Sequence, residues 1–330
     1  MSAPHAELIE DGGTAAADEE FFRSQSFLEA EGATHTLKIE SEVGVLLAPL
    51  IVREIEGGRG WDGVSPYGYP GLVGGEGRGG LLPDPLASLA LCVRTKTPPP
   101  LNPAVIDFSG TGLVSVFLRH RLAPSPLVGA TERNEVQIAD PALPPKSRPS
   151  DRRQVRRNLE VGYEVELVAG PATSREQRAS FLEVYEQTMR RTGAVAHYFF
   201  GAQYFDRILE AEQTWLVLAT DPEGDLAAAS IAAVSDGYLH YYLSGSADSH
   251  LRAAPMKNVV TRLVEHSTEL GLPLNLGGGI SVGDALEEFK RGFANRQQAW
   301  LTSELICDEE KYSELSAGRE AAGYFPAYRA

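Results

Sequence analysis

Residues 226–276 read LAAASIAAVSDGYLHYYLSGSADSHLRAAPMKNVVTRLVEHSTELGLPLNL, and this stretch decides the fold. Asp236-Gly237 is a two-residue hairpin turn, so it joins strands over 226–235 and 237–243. A helix over 255–270 and a strand over 272–276 follow. Downstream come a short helix at 284–291 and a final strand at 298–306. Upstream lie a helix at 150–160, a strand at 163–169, helices at 174–192 and 201–211, and a strand at 214–220. The aromatic run His197-Tyr198-Phe199-Phe200 feeds the second of those two helices. Strands and crossover helices in this order predict an α+β fold around a largely antiparallel sheet.

The first half is harder to read. Residues 1–17, acidic and rich in Ala and Gly, are expected to be a disordered leader. Asp18 is placed to cap a helix through about Ala30, with Phe21, Phe22, Phe27 and Leu28 as its apolar stripe. Strands are expected at 34–40, 43–53, 113–121 and 134–139. Residues 57–83, dense in Gly, Pro and Tyr, read as one long structured loop. The Pro-rich stretch 141–149 is the natural boundary. The expected domains are therefore 18–145 and 146–330.

Composition fits this division. The chain has 330 residues, of which 43% are hydrophobic and 23% charged. Domains of ~100–200 residues give two of them, and neither disorder throughout nor a fibrous fold is compatible. The longest uncharged apolar run, Val43 to Val52, falls short of the ~18–20 residues of a membrane span. The N-terminus lacks the features of a signal peptide. Cys92 and Cys307 cannot build a disulfide framework, and neither has the neighbours of a zinc site. A cytoplasmic protein with no metal is expected.

Net charge is −15, against broad nucleic-acid binding. The distribution is uneven. Residues 1–56 carry twelve acids and three bases, whereas residues 146–157 carry six bases and one acid. This basic segment reads either as a local phosphate-binding patch or as a solvated helix face.

Two literal motif matches fail on context. Gly75–Gly80 matches G-x-G-x-x-G, but Pro83 and Pro85 follow and no helix opens at its third glycine. Gly279-Ile280-Ser281-Val282-Gly283 matches the nucleophile elbow between a strand and a helix. All seven histidines precede Ser281, so the elbow has no base in the order a hydrolase needs. The glycines then serve a tight turn, with Ser281 near a helix N-terminus. There is no P-loop and no metal-binding histidine spacing; His240 reads as a hydrogen-bonding residue of a core or pocket.

Several segments together resemble the Fem-type aminoacyltransferases of the GNAT superfamily. They are Trp61-Asp62-Gly63-Val64-Ser65-Pro66-Tyr67-Gly68-Tyr69-Pro70-Gly71, Tyr238–Ser246, Ala254-Pro255-Met256-Lys257, Leu276-Gly277-Gly278-Gly279 and Phe289-Lys290-Arg291-Gly292-Phe293. The resemblance implies two tandem GNAT-like domains, each a mixed, largely antiparallel sheet with flanking helices. It also implies transfer of an aminoacyl group from aminoacyl-tRNA to an amine, in a cell-wall precursor or peptide antibiotic, without a cofactor. An acyl-CoA-dependent N-acyltransferase and a non-catalytic GNAT pair are the alternatives. GNAT acetyltransferases hold the CoA pyrophosphate on backbone N–H groups through [QR]-x-x-G-x-[GA]. Here Arg252-Ala253-Ala254-Pro255-Met256-Lys257 puts proline at the first glycine and lysine at the small residue. That departure favours tRNA over CoA.

Aminolysis of an activated ester needs a neutral amine, a near-attack geometry and stabilisation of an oxyanion. Lys290, in the segment resembling the family's lysine-bearing motif, is the expected catalytic cation. The alternative is an exposed lysine at a helix end. Asp62, Tyr67 and Tyr69 are expected at the acceptor, although Asp62 equally suits a local cap and the tyrosines a buried loop. Tyr242, Ser281 and Phe289 complete the expected substrate contacts, although Phe289 and Phe293, four apart on one helix, suit the core better than a stacking platform. Arg152, Arg153, Arg156, Arg157 and Lys257 are the expected contacts to tRNA or phosphate. No membrane or DNA partner is expected.

Overall fold

Two apolar clusters organise the chain, one gathered by residues from both of its ends and one by its middle. The computed structural model describes residues 3–41, 44–75, 102–125, 127–279, 283–319 and 323–330. These form two compact units, residues 1–133 with 300–330, and residues 134–299.

The first unit begins with β1 (His5–Ile9), α1 (Gln25–Glu31), β2 (His35–Ser41) and β3 (Gly44–Glu54). β4 (Trp61–Val64), β5 (Val73–Gly75) and β6 (Leu113–Arg119) follow. Its strands pair in the order β1-β2-β3-β4-β6, antiparallel except for the parallel β4–β6 pair, and β5 adds to β3. Leu37, Ile39, Leu50, Val116 and Leu118 pack their inward faces into one cluster.

Three expectations are corrected here. Within the expected disordered leader 1–17, residues 3–17 are structured, since β1 pairs with β2 and buries Ala6. Asp11 fixes the turn that follows, accepting from Gly13 N, Ala15 N and Thr36 Oγ1. Asp18 does not cap α1. Its carboxylate pairs with the buried Arg23, and Ser24 accepts from Phe27 N as the cap. Finally, the long Gly/Pro stretch carries β4 and β5, while residues 76–83 lie outside the described residues.

Strand β7 (Ala130–Ala139) leads into the second unit. The elements there are α2 (Pro149–Glu160), β8 (Glu164–Ala169), α3 (Arg175–Thr192), α4 (Ala202–Ile208) and β9 (Thr214–Thr220). Next come β10 (Leu226–Ser235), β11 (Tyr238–Ser246), α5 (Met256–Leu270), β12 (Leu274–Gly277), α6 (Ala285–Arg291) and β13 (Arg296–Ile306). Their strands pair in the order β7-β12-β11-β10-β9-β8, and β11–β12 is the parallel pair. Asp236 and Gly237, both at positive φ, supply the left-handed turn that a two-residue hairpin requires. Ser174 and Gln177 form a reciprocal capping box at the start of α3. Gly245 lets that helix lie against β11, because a Cβ there would stand 2.5 Å from the Val184 backbone. Val259, Val260 and Leu263 of α5 bury against Leu239, Leu274 and Leu276. The α+β, largely antiparallel class read from the sequence is the observed one.

From Trp300, within β13, the chain belongs again to the first unit, which includes α7 (Glu309–Ser316). Thr302–Ile306 pair antiparallel with β6, and Leu315 and Tyr328 pack with Ile55 and Val114. The expected boundaries at 145 and 330 therefore differ from the compact units. The cause is strand pairing between distant parts of the chain, which local composition does not encode.

Candidate active site

Parallel neighbours β11 and β12 share two register pairs, Leu239 with Leu274 and His240 with Asn275. β11 continues to Ser246 against β10, with a register irregularity between its Leu243 and Tyr241 partners that falls on Tyr242. Strands that part in this way leave main-chain donors and acceptors for a ligand, and such irregularities collect at functional sites. Tyr242 Oη lies 2.8 Å from Tyr204 Oη. His240 closes the paired end. Its ring contacts Ser235 O at 3.2 Å and Asn275 Nδ2 at 3.0 Å, and burial pushes its pKa down to about 4. The imidazole is neutral and structural, the hydrogen-bonding role read for it.

Lys290 is not the exposed lysine of the alternative reading. It is 8% exposed, and its Nζ donates to Gly278 O at 2.7 Å. Burial lowers its pKa to about 8 against the opposing pull of Asp284. Gly277, at positive φ, has its missing Cβ position 3.1 Å from that Nζ. A side chain there would collide with the lysine as well as strain the backbone. Asp284 caps α6 by accepting from Glu287 N, which fixes the helix carrying Lys290. A desolvated ammonium beside a glycine turn, at the end of β12 where β11 has parted, is suited to binding an oxyanion or phosphate oxygen.

At the start of α5 the main-chain donors are already engaged. Lys257 N donates to Ala254 O at 3.0 Å, and Asn258 and Val259 N both donate to Pro255 O. Ala254 holds a positive φ, a left-handed conformation that a glycine would adopt freely. Helix α2 covers this end. Asn158, fully buried, donates to Ala253 O at 2.9 Å and Asn258 Oδ1 at 2.7 Å. Asp151 pairs with the Lys257 side chain at 2.8 Å.

The other expected residues divide between the units. Asp62, Tyr67 and Tyr69 belong to the first. Asp62 is fully buried and bound by Arg53 at 2.8 Å and by Arg329. The charge of that carboxylate is matched by two guanidiniums. Tyr67 lies under Arg119, and Tyr69 packs edge-on against Phe22 and Trp300. Phe289 takes the core alternative, packing on Phe293 beside the cluster of the second unit. Ser281 lies outside the described residues. Arg152 is anchored to Ser147 O at 2.5 Å, while Arg153, Arg156 and Arg157 are exposed on α2. Lys257 is tied to Asp151. Among the described residues there is no group of His, Cys, Asp and Glu arranged for a metal.

Sequence reading missed Asn158, Asp151 and Gln137. The first two are polar positions inside a helix dominated by arginine. Gln137 had a visible signal, being flanked by Val136 and Ile138 in a strand whose last four residues are all buried.

Comparison with known proteins agrees with this architecture. Residues 145–291 match the acetyltransferase (GNAT) domain. The crystal structure of FemX superposes with a TM-score of 0.58 at 12% identity, covering 93% of this chain and 99% of FemX. The C-terminal domain of a putative lysylphosphatidylglycerol synthetase from Agrobacterium fabrum gives 0.53 at 14% identity over 92% of this chain and 93% of its own. L-PGS from Bacillus licheniformis gives 0.51 at 14% identity, over 86% and 87%. No curated protein sequence matches significantly. The fold is the Fem-like GNAT fold that the sequence resemblance implied.

Proposed function

We propose that the chain is an aminoacyl-tRNA-dependent aminoacyltransferase that forms an amide bond on a small amine or peptide acceptor. The Fem-like fold and the buried Lys290 at the parting of β11 and β12 support acyl transfer. The observation that carries the choice of donor is the closed start of α5. Lys257 N bonds to Ala254 O and Asn258 N to Pro255 O, while Asn158 binds Ala253 O and Asp151 binds the Lys257 side chain. A CoA pyrophosphate held there would find those two N–H groups engaged and Pro255 without one, so CoA is disfavoured. FemX and the putative lysylphosphatidylglycerol synthetase share the fold.

In this reading Lys290 stabilises the tetrahedral oxyanion, Tyr242 lines the acyl path, and the exposed arginines of α2 meet tRNA phosphates. The acceptor amine, with a pKa of ~7.7–8 when it is an α-amine, is partly neutral at pH 7 and needs no strong base. Tyr67 and Tyr69 are retained as proposed acceptor contacts, as is Ser281. The setting is cytoplasmic, in a cell-wall or peptide-antibiotic pathway. No helix among the described residues is long and apolar enough to cross a membrane.

The test is transfer from a mixture of radiolabelled aminoacyl-tRNAs to pooled small amines and peptides. Turnover abolished by RNase and unaffected by CoA is the expected result. Turnover with acetyl-CoA and none with charged tRNA would reverse the assignment of donor.

A further inference from the structure

His240 and Asn275, the last register pair that β11 and β12 share, are also joined through their side chains. Both residues are buried, and their neighbours Leu239, Leu274 and Leu276 belong to the apolar cluster of the unit. A polar pair in such surroundings is costly unless its hydrogen bonds are made in full.

The bonds here run in one direction. Ser235 O can only accept, so His240 Nε2, 3.2 Å away, carries the proton and donates. Burial keeps the ring neutral, which leaves Nδ1 bare to accept from Asn275 Nδ2 at 3.0 Å. That contact orients the carboxamide, whose Oδ1 accepts from Gly277 N at 2.8 Å. Reversing the amide would set two donors together at Gly277 and two acceptors together at His240. The polarity is therefore unique, from the Gly277 N–H through Asn275 and His240 to Ser235 O.

The far end of this chain of bonds is the turn on which Lys290 rests. The register with β11 ends at Asn275, and the register with β7 shifts between Asn275 and Gly277. The Asn275 side chain takes over where main-chain pairing lapses, bonding the N–H two residues on and so fixing a turn. Gly277 has its missing Cβ position 3.1 Å from Lys290 Nζ, and Gly278 supplies the carbonyl that accepts from that Nζ at 2.7 Å.

We propose that Asn275 and, behind it, His240 are positioning residues for Lys290. They hold the Gly277-Gly278 turn so that the ammonium is presented where β11 and β12 part. The placing of Lys290 stands on this geometry; its effect on turnover rests on the transferase reading above.

The experiment follows Lys290 in the full chain by NMR of lysine labelled at Cε. The chain has six lysines, and the Lys290 signal is the one lost in Lys290→Met. Asn275→Leu deletes both carboxamide bonds at similar volume. The Lys290 midpoint, near 8 in the wild type, should then rise by about 1 toward 10.5 as the released turn lets Nζ reach water. Transfer should lose about tenfold or more in kcat with KM nearly unchanged. His240→Phe, which deprives Asn275 Nδ2 of its acceptor, should shift both quantities in the same sense. His240→Gln, able to accept from Asn275 and donate to Ser235 O, should restore them. A lower melting temperature with the midpoint and the kcat per folded molecule unchanged would mean a structural role alone, and overturns the proposal. If Asn275→Leu does not fold, the contrast between His240→Phe and His240→Gln decides. If the wild type transfers nothing from charged tRNA, the transferase reading fails, while the NMR midpoints still decide the positioning.

Discussion

The two units treat buried charge in opposite ways. In the first, Asp62 is clasped by Arg53 and Arg329, and the buried Arg23 is met by Asp18 and Pro70 O. In the second, Lys290 is buried with a carbonyl as its hydrogen-bond partner. Paired buried charges fix a fold, whereas uncompensated ones cost stability and persist where a ligand or reaction uses them. The difference supports placing the proposed oxyanion contact on Lys290.

The sharpest way to break that contrast is Lys290→Met. Removing one preorganised electrostatic contact typically lowers turnover by about 10²–10³. The expected outcome is a fall of that size in kcat for aminoacyl transfer, with an unchanged or raised melting temperature. Folding moves this lysine from an ordinary pKa of 10.5 down to about 8, so the unfolded chain binds more protons between those values. Stability should therefore rise as pH climbs from 8 to 10.5 in the wild type, and this rise should vanish in the methionine variant. A variant that transfers normally would remove Lys290 from the mechanism.

Asp62→Ala makes the converse case for the first unit. Removing one partner of a fully buried ion pair costs about 3–5 kcal/mol, and half-exposed arginines that can rehydrate reduce this to about 2 kcal/mol. Chemical denaturation should report that loss, with transfer by the surviving folded fraction close to normal. A large drop in kcat without a loss of stability would instead restore Asp62 to the acceptor site.

Acid titration gives a smaller effect. His120 in the first unit and His240 in the second are both buried, and burial holds both near pKa 4 against an unfolded value of 6.5. The unfolded chain takes up protons first as pH falls, so stability is complete above 6.5 and lost progressively toward 4. Each group should remove about 1 kcal/mol between roughly pH 6.5 and 5.5. A His240→Gln variant should lose that share of the slope. An undiminished slope would mean that His240 is charged or accessible in solution.

Legibility in the sequence followed the same division. Strands β10 and β11 and the helices of the second unit were readable because hairpin chemistry and capping residues act locally, as at Asp236-Gly237 and Ser174. The first unit was obscured where structure depends on distant partners. β1 is five residues in an acidic, small-residue stretch, and it becomes a strand through its register with β2. The return of residues 300–330 is a pairing with β6 that no local pattern announces. At the site, the residue type of Lys290 was readable but its burial was not, because α6 is only seven residues long. The ion pair of Asp62 was hidden for a related reason: its partner Arg329 is 267 positions away.

The basic face of α2 offers the last and mildest test, where the chain's net charge of −15 opposes binding of a polyanion. Arg153 and Arg157 are four apart on this helix and exposed, whereas Arg152 is held by Ser147 and Arg148 by Glu288. Arg153→Glu with Arg157→Glu therefore leaves the anchors of α2 intact. Exposed charges contribute little, so stability should change by less than about 1 kcal/mol. Binding of tRNA should nevertheless weaken, and each lost phosphate contact should flatten the plot of log K against log salt by about 0.7–0.9. A mobility-shift titration at several salt concentrations reads both quantities. If affinity and slope match the wild type, α2 presents a solvated face, and RNA contact in the second unit must rest on groups other than these arginines.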